Sequence, residues 1–245
     1  VKAQDVGKLL SEARTLEQAG ELVAAREKYF EALAAQPAAK TRRDIQARLG
    51  AVNTQLLLSP MKMPEKEEYV VQRGDSLKAI AIRFGTTVEL LQKSNRIMNP
   101  DRIMAGDLLR VFTGKFAIEV SKARNELVLK MNGRFFKRYS VATGQYDRTP
   151  AGTFEIREKA VDPTWWRPDG KAIPYGDKEN ILGTRWMALR ATGETPKLRG
   201  YGVHGTWDNS SIGQSVSAGC IRMRNSDVEE LYAIVPEGTP VTIEE

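Results

Sequence analysis

Tyr201-Gly-Val-His-Gly-Thr-Trp207 and Ser217-Ala-Gly-Cys-Ile-Arg-Met-Arg-Asn225 hold the only histidine and the only cysteine of a 245-residue chain. Any chemistry that needs either side chain is confined to this stretch. A thiol becomes a strong nucleophile when it ionises, and an imidazole beside it can take the proton. Cys220 and His204 are the candidate pair. Gly219 lets the backbone approach a substrate closely, and its amide together with that of Cys220 is a candidate oxyanion hole. Two residues past the cysteine, Arg222 supplies a fixed cation with a planar fork, suited to holding a carboxylate or keeping a thiol ionised. Each residue alone has a plainer reading: an inert buried cysteine, a structural histidine, an arginine paired with an acid such as Asp227.

These residues resemble the signature of the L,D-transpeptidases, peptidoglycan cross-linking enzymes that use cysteine. The signature here reads His204-Gly205-Thr206, ten intervening residues, then Ser217-Ala218-Gly219-Cys220-Ile221-Arg222-Met223. Many members carry a histidine directly before the Gly-Cys pair, where this chain has Ala218. That leaves the group orienting His204 open, a backbone carbonyl being one candidate. Thr149-Pro-Ala-Gly-Thr-Phe-Glu-Ile156 and Asn180-Ile-Leu-Gly-Thr-Arg-Trp-Met187 are similar to two further family segments. The resemblance covers about residues 115–245 and implies a mostly β sandwich.

It also implies a mechanism and a site. Cys220 attacks a stem peptide after its third residue, His204 protonates the departing D-alanine, and an amine from a neighbouring stem resolves the thioester. The oxyanion hole is expected at Gly219 and Cys220, and the substrate-binding set at Arg222, Ser217, Gly205, Tyr201, Arg185 and Trp186. For Ser217 a bond to the backbone is the favoured reading. No cofactor and no metal are expected. Two alternatives stay open: an L,D-carboxypeptidase that passes the same thioester to water, and a peptidoglycan-binding scaffold whose catalytic fold is idle.

The composition allows several small modules: 41% hydrophobic and 28% charged residues describe an ordinary globular chain. Its net charge of +6 favours a polyanionic surface such as nucleic acid or an acidic cell wall. No nucleic-acid-binding motif is recognisable. No run of eighteen apolar residues exists, so no membrane span is expected. The first residues are too polar for a signal peptide. The expected location is extracytoplasmic, periplasm or cell wall, with the export signal or anchor outside this chain.

In chain order, residues 1–58 show helical spacing from Lys2 to about Leu57. Gly20 separates two helices and Gln36-Pro37 ends the second. Ala13, Gly20, Ala25, Tyr29, Ala32 and Pro37 fall where a tetratricopeptide repeat places its packing residues, which makes this segment either a partner-binding arm for another protein or a packing spacer. Leu58 to Glu68 reads as a linker.

Residues 69–112 follow with a short strand at Tyr69, a helix from Leu77 to Phe84 after Gly74-Asp-Ser, and a second helix opened by Thr86 or Thr87. Leu108 to Phe112 returns as a strand. This order, with Tyr69-Val-Val, Gly74-Asp-Ser-Leu77, Asn95 and Gly106-Asp, resembles a LysM domain. The resemblance implies glycan binding at Gly74, Asp75, Ser76 and Leu77 on one side of a shallow groove, and at Ile103 and Met104 on the other. For Asp75 and Ser76, helix capping is the alternative.

In residues 115–245, alternating strands precede and follow an Asn132-Gly133 hairpin turn. Val161 to Tyr175 has no regular period and is too long for a mere connector, so it reads as a lid or binding wall. Anchoring of the loop is the favoured role for Trp165 and Trp166. Ser226-x-x-Glu229 reads as a capping box opening a helix from Asp227 to Ile234. The fold class expected is multidomain α+β, and the partners expected are stem peptides and glycan strands.

Overall fold

The computed structural model describes residues 3–197 and 199–245; the expected helix start at Lys2 lies outside them. The chain divides into two compact units, residues 1–115 with 134–138, and residues 116–133 with 139–245. The architecture is mixed α+β, helical first and mostly β at the end.

In the first unit, α1 (Ala3–Gln18), α2 (Leu22–Ala34) and α3 (Ala39–Leu57) form the helical segment. Ala13, Ala25, Tyr29 and Ala32 are buried, so the small and aromatic positions of the repeat-like pattern are its packing positions. Gly20 takes φ +78° between α1 and α2, a left-handed conformation that costs glycine no Cβ clash.

The second part of this unit is β1 (Lys66–Val70), α4 (Leu77–Phe84), α5 (Val88–Asn95) and β2 (Leu108–Phe112). Antiparallel pairing of β1 with β2 and a shared core including Val71, Leu77, Ile80, Leu91 and Val111 hold it together. Its helix starts were readable because short polar side chains cap them. Ser76 accepts the Ala79 amide at 3.1 Å and Thr87 the Leu90 amide at 2.9 Å. Asn95 ties α5 to β2 by accepting the Arg110 amide at 2.7 Å and donating to its carbonyl at 2.9 Å.

The stretch read as a linker is tied down instead. Lys66 Nζ donates to the carbonyls of Leu56 and Ser59 at 2.7 and 2.5 Å, Arg110 to Pro60 at 2.6 Å, and Arg26 to Glu65 at 3.0 Å. Burial pushes the Lys66 ammonium down to about 8, with Arg110 adding to the depression. Proline and charge content suggested freedom, but helix-end carbonyls that need donors recruited this lysine.

The second unit is built on a mixed sheet. Its strands are β3 (Phe116–Ser121), β4 (Glu126–Met131), β7 (Gly152–Val161), β10 (Arg185–Ala191), β11 (Gly202–His204), β13 (Ile221–Arg222) and β14 (Pro240–Glu244), adjacent in the order β13-β11-β10-β7-β14-β3-β4. β5 (Arg134–Ser140) is the other arm of the hairpin after β4. Asn132 and Gly133 both take positive φ, 49° and 76°, as a two-residue hairpin turn requires. Two short strands, β6 (Thr143–Gly144) and β12 (Ser215–Ser217), pair in parallel.

The helix α6 (Asn225–Ile234) buries Val228, Leu231 and Tyr232. It begins two residues before the expected start, and no side-chain cap closes its N-terminus. The capping box read at Ser226 does not form. Lys159 from β7 satisfies the other end, donating to the carbonyls of Tyr232 and Val235 at 2.6 and 2.8 Å.

The Val161–Tyr175 segment is more regular than its sequence suggested. It is a flap in which β8 (Trp165–Trp166) pairs antiparallel with β9 (Ala172–Ile173). A turn closes its tip, with the Gly170 amide on the Arg167 carbonyl at 2.9 Å and Gly170 at φ +87°. Prolines at 163, 168 and 174 hid a hairpin only two residues long on each side.

Candidate active site

Strand register brings the two unique residues together. β11 and β13 run parallel with Val203 opposite Ile221 and His204 opposite Arg222. Cys220 therefore falls beside Gly202, two positions along from His204. Strand geometry puts their Cα atoms about 8 Å apart. Both side chains open into one cavity of about 680 Å³. A cysteine and a histidine sixteen residues apart meet because the loop between them returns the chain to the neighbouring strand in the same direction.

His204 is 2% exposed. Its Nδ1 lies 2.6 Å from the Gly205 carbonyl. A carbonyl can only accept, so Nδ1 carries the proton and Nε2 keeps its lone pair. This carbonyl is the orienter that the sequence left open. Burial drives the imidazole down to about 4; hydrogen bonding to the Gly205 backbone opposes this, the Arg222 cation adds to it, and the Leu182 backbone opposes it again. The ring is a neutral base at pH 7.

Burial raises the Cys220 thiol, against the opposing effects of the Gly202 backbone and Arg222. Its Sγ contacts the Gly200 carbonyl at 3.5 Å. The resting site therefore holds a neutral thiol and a neutral imidazole in one cavity rather than a preformed ion pair. A cation that lowers both groups favours thiolate but disfavours imidazolium, and Arg222 does both.

The loop before Cys220 is fixed from both sides. Ser217 donates to the Cys220 carbonyl at 2.6 Å and accepts the Gly219 amide at 3.1 Å. Its backbone role, favoured from sequence, is the one observed. The same bond corrects the expectation for the oxyanion hole, because the Gly219 N–H is already engaged. The Cys220 N–H has no hydrogen bond to a described residue. Thr149 donates to the Gly219 carbonyl at 2.9 Å while accepting the Gly144 amide at 2.7 Å. Gly219 sits at φ +134°, where a Cβ would lie 2.8 Å from Tyr201 Cε1 and 2.9 Å from the Arg148 carbonyl oxygen.

The remaining expected residues divide. Tyr201, Trp186 and Arg222 line the cavity. The Trp186 ring is 5.8 Å from the His204 ring, and its Cη2 would sit 2.5 Å from a Cβ on Gly202. Arg185 does not line it. Consecutive strand residues face opposite ways, and Arg185 bonds the Thr184 carbonyl at 2.7 Å, pairs with Asp162 at 3.8 Å and lies 5.5 Å above the Tyr232 ring. Gly205 is likewise a support, with its carbonyl on His204 and its Cα packed against Asn225. Arg222 makes no ion pair with a described residue, and its Nε is buried without a partner. Asp227 pairs instead with Arg224 at 3.8 Å.

Sequence reasoning missed three supports. Asn225 accepts the Thr184 amide at 3.2 Å, and its Oδ1 fills the space where a Cβ on Gly183 or Gly205 would stand, 2.3 and 2.1 Å away. Asn180, 1% exposed, donates to Pro163 and Ile173 at 2.9 and 3.0 Å and accepts the Leu182 amide at 2.9 Å, which staples the flap base. Thr149 is the third. Asn180 and Thr149 stood inside the quoted family segments, and Asn225 closed the opening stretch, but their partners are distant in sequence. The flap supplies one wall of the cavity through both tryptophans, with Trp166 70% exposed.

In the first unit the expected glycan-binding residues also divide. Asp75 accepts from the Tyr69 hydroxyl at 2.5 Å and the Gln72 amide at 2.9 Å, with Arg83 at 3.5 Å. The Tyr69 bond, then the Gln72 amide, hold its carboxyl below the usual range. Ser76 caps α4. Leu77, 2% exposed, is a core residue rather than a groove contact. Gly74 turns the chain at φ +88°, Ile103 is half-packed on the core, and Met104 is 70% exposed.

Both the catalytic segment and the module before it match known families. A family model described as the L,D-transpeptidase catalytic domain matches residues 115–243, and a LysM model matches residues 69–112. A Bacillus subtilis protein carrying the name L,D-transpeptidase YkuD is 34% identical over 182 residues, which is 71% of this chain and 97% of the relative. A second from that organism, carrying the name L,D-transpeptidase YqjB, is 41% identical over 125 residues, 51% of this chain and 68% of its own. A solved L,D-transpeptidase from Mycobacterium smegmatis aligns with a TM-score of 0.43 at 22% identity, covering 58% of this chain and 65% of that one. With its catalytic-domain match extending over more than half of its length and a relative aligned almost end to end, the chain belongs to the L,D-transpeptidase family of YkuD type.

Proposed function

We propose that the protein is an active L,D-transpeptidase that forms peptidoglycan cross-links through a thioester on Cys220 and is held to the wall by its LysM domain. The observation that carries this reading is the shared cavity of Cys220 and His204, with the proton of a neutral imidazole on Nδ1 and the Arg222 guanidinium beside them.

In the first half-reaction the Cys220 thiol loses its proton to His204 Nε2 as sulfur attacks the carbonyl carbon of the donor's third residue. The Cys220 N–H stabilises the resulting oxyanion; one such donor is typically worth about 3–4 kcal/mol. Collapse breaks the C–N bond, and imidazolium returns its proton to the departing D-alanine amine. Arg222 anchors the terminal carboxylate of the donor, which a guanidinium fork fits. In the second half-reaction the amine of a neighbouring stem attacks the thioester, His204 takes a proton from that amine, and the thiolate leaves. The acyl-enzyme conserves the energy of the broken amide, so no nucleotide is consumed. Peptidoglycan as substrate implies an extracytoplasmic site of action.

Incubation with disaccharide-tetrapeptide and mass analysis of the products tests the proposal. The expected product is a dimer lacking one D-alanine, absent with Cys220→Ala. Tripeptide monomer alone would replace the reading by a carboxypeptidase. No change with active-site residues intact would leave a wall-binding protein.

A further inference from the structure

Trp207 and Tyr175 are large aromatic side chains that the acyl-transfer chemistry does not use, and both stand at the surface, 53% and 39% exposed. Burying such rings is ordinarily favourable, so two left open side by side mark a surface that takes a partner. Their ring centroids lie 6.1 Å apart with the planes inclined at 45°. Together with Gly176, Asp177 and Lys178 they line a cleft of about 440 Å³ that shares no residue with the cavity of Cys220 and His204.

Both rings sit inside braced turns. The Asp177 amide closes a turn on the Pro174 carbonyl at 3.2 Å, with Tyr175 inside it. The Thr206 hydroxyl accepts the Asp208 amide at 3.1 Å, with Trp207 between them. Tyrosine and tryptophan fixed in this way offer a large contact area at small cost in conformational entropy. The rim is polar. Asp177 uses one carboxylate oxygen for the Glu179 amide at 2.8 Å, and Lys178 is exposed beside it. One acid and one base cancel, so the cleft selects its ligand by shape and hydrogen bonding rather than by net charge. A pyranose has both features the cleft asks for. Its C–H bonds lie against an aromatic face, which carries the negative part of the ring quadrupole, while its hydroxyl groups reach the carboxylate and the ammonium at the rim.

We infer that the Tyr175–Trp207 cleft binds one N-acetylated pyranose of the glycan strand, a sugar contact in the second unit separate from the LysM domain. The assignment rests on the peptidoglycan substrate proposed above and adds to it a site for the sugar that carries the stem. Trp207 is three residues past His204, so their Cα atoms are at most about 11 Å apart. A stem peptide that reaches the catalytic cavity hangs from a sugar only a few residues away, which is the same scale.

Tryptophan gives a selective readout, because the four tryptophans fall at 165, 166, 186 and 207 and none lies in residues 69–112. The full chain, labelled with fluorotryptophan, is titrated with a peptide-free N-acetylglucosamine tetramer and followed by fluorine NMR. Replacing each tryptophan in turn with phenylalanine assigns the resonances. The Trp207 resonance is expected to shift saturably while those of Trp165, Trp166 and Trp186 stay in place. Tyr175→Ala should weaken the titration about fivefold, and the three unmoved resonances will show that this variant is folded. A Trp207 resonance unmoved up to the solubility limit of the sugar, or shifts at the cavity tryptophans instead, overturns the assignment. In a second arm, release of D-alanine gives kcat/KM for the disaccharide-tetrapeptide and for the free tetrapeptide. Their ratio should fall about fivefold in Trp207→Ala; an unchanged ratio, as loosening of the flap alone would give, overturns the assignment. Release from neither donor by the wild type overturns the transpeptidase reading, whereas the fluorine titration still decides the sugar site.

Discussion

His204 is neutral because it is buried, and that has a measurable sign. Its folded pKa of about 4 lies below the ordinary 6.5, so between these values the unfolded chain binds the additional proton. The stabilising contribution is full above about pH 6.5 and is lost as pH falls towards 4, by about 3 kcal/mol in all. Denaturant titrations should show that slope in the wild type and not in His204→Gln. Arg222 depresses the same group, so Arg222→Gln should move the acid limb of Cys220 alkylation by iodoacetamide to higher pH. An unmoved limb would separate Arg222 from the dyad. Gly219→Ala should cost about 1–3 kcal/mol, since the added Cβ meets Tyr201 and the Arg148 carbonyl at a positive φ. At this scale the sequence disclosed the candidate reacting groups and little of their support. Uniqueness and spacing singled out Cys220, His204 and Arg222, whereas the engagement of the Gly219 amide by Ser217 depends on a loop geometry that residue types do not encode.

Elements were legible where local chemistry dictates them. Ser76 and Thr87 cap helices where short polar residues precede apolar spacing, and Asn132-Gly133 turns a hairpin. They were hidden where distant partners decide. The flap became a hairpin because Asn180, on the chain after it, binds Pro163 and Ile173, and the capping box at Ser226 gave way to an earlier helix start at Asn225. Asn180→Ala removes three hydrogen bonds from a buried site, and a loss of about 2–3 kcal/mol is expected, with cleavage by protease beginning in residues 161–175. Stability unchanged by that substitution would show that the flap is held otherwise. Arg185 shows the strand period at work: it sits beside Trp186 in sequence and on the opposite face of β10. A pocket assignment made from motif membership alone could not separate the two.

Across the whole chain, the proposed function assigns recognition and chemistry to different residues. Sedimentation with purified peptidoglycan should be the same for Cys220→Ala as for the wild type, because no expected LysM contact involves the thiol; loss of binding in that variant would merge the two functions into one site. The composition indicated several modules, and the strand, helix and cap signals of residues 69–112 revealed one of them. The compact first unit was not foreseen, because Arg110 acts on the Pro60 carbonyl 50 residues before it and Arg26 on Glu65 39 residues after it. The claim on which all of this turns is that Cys220 carries the stem peptide as a thioester. Intact-protein mass spectrometry after rapid acid quenching of a reaction with tetrapeptide donor measures it directly. The account predicts a gain equal to the donor minus one D-alanine, confined to the peptide containing Cys220 and absent from Cys220→Ala; release of D-alanine with no such adduct at any quench time, or with the adduct on another residue, would contradict it.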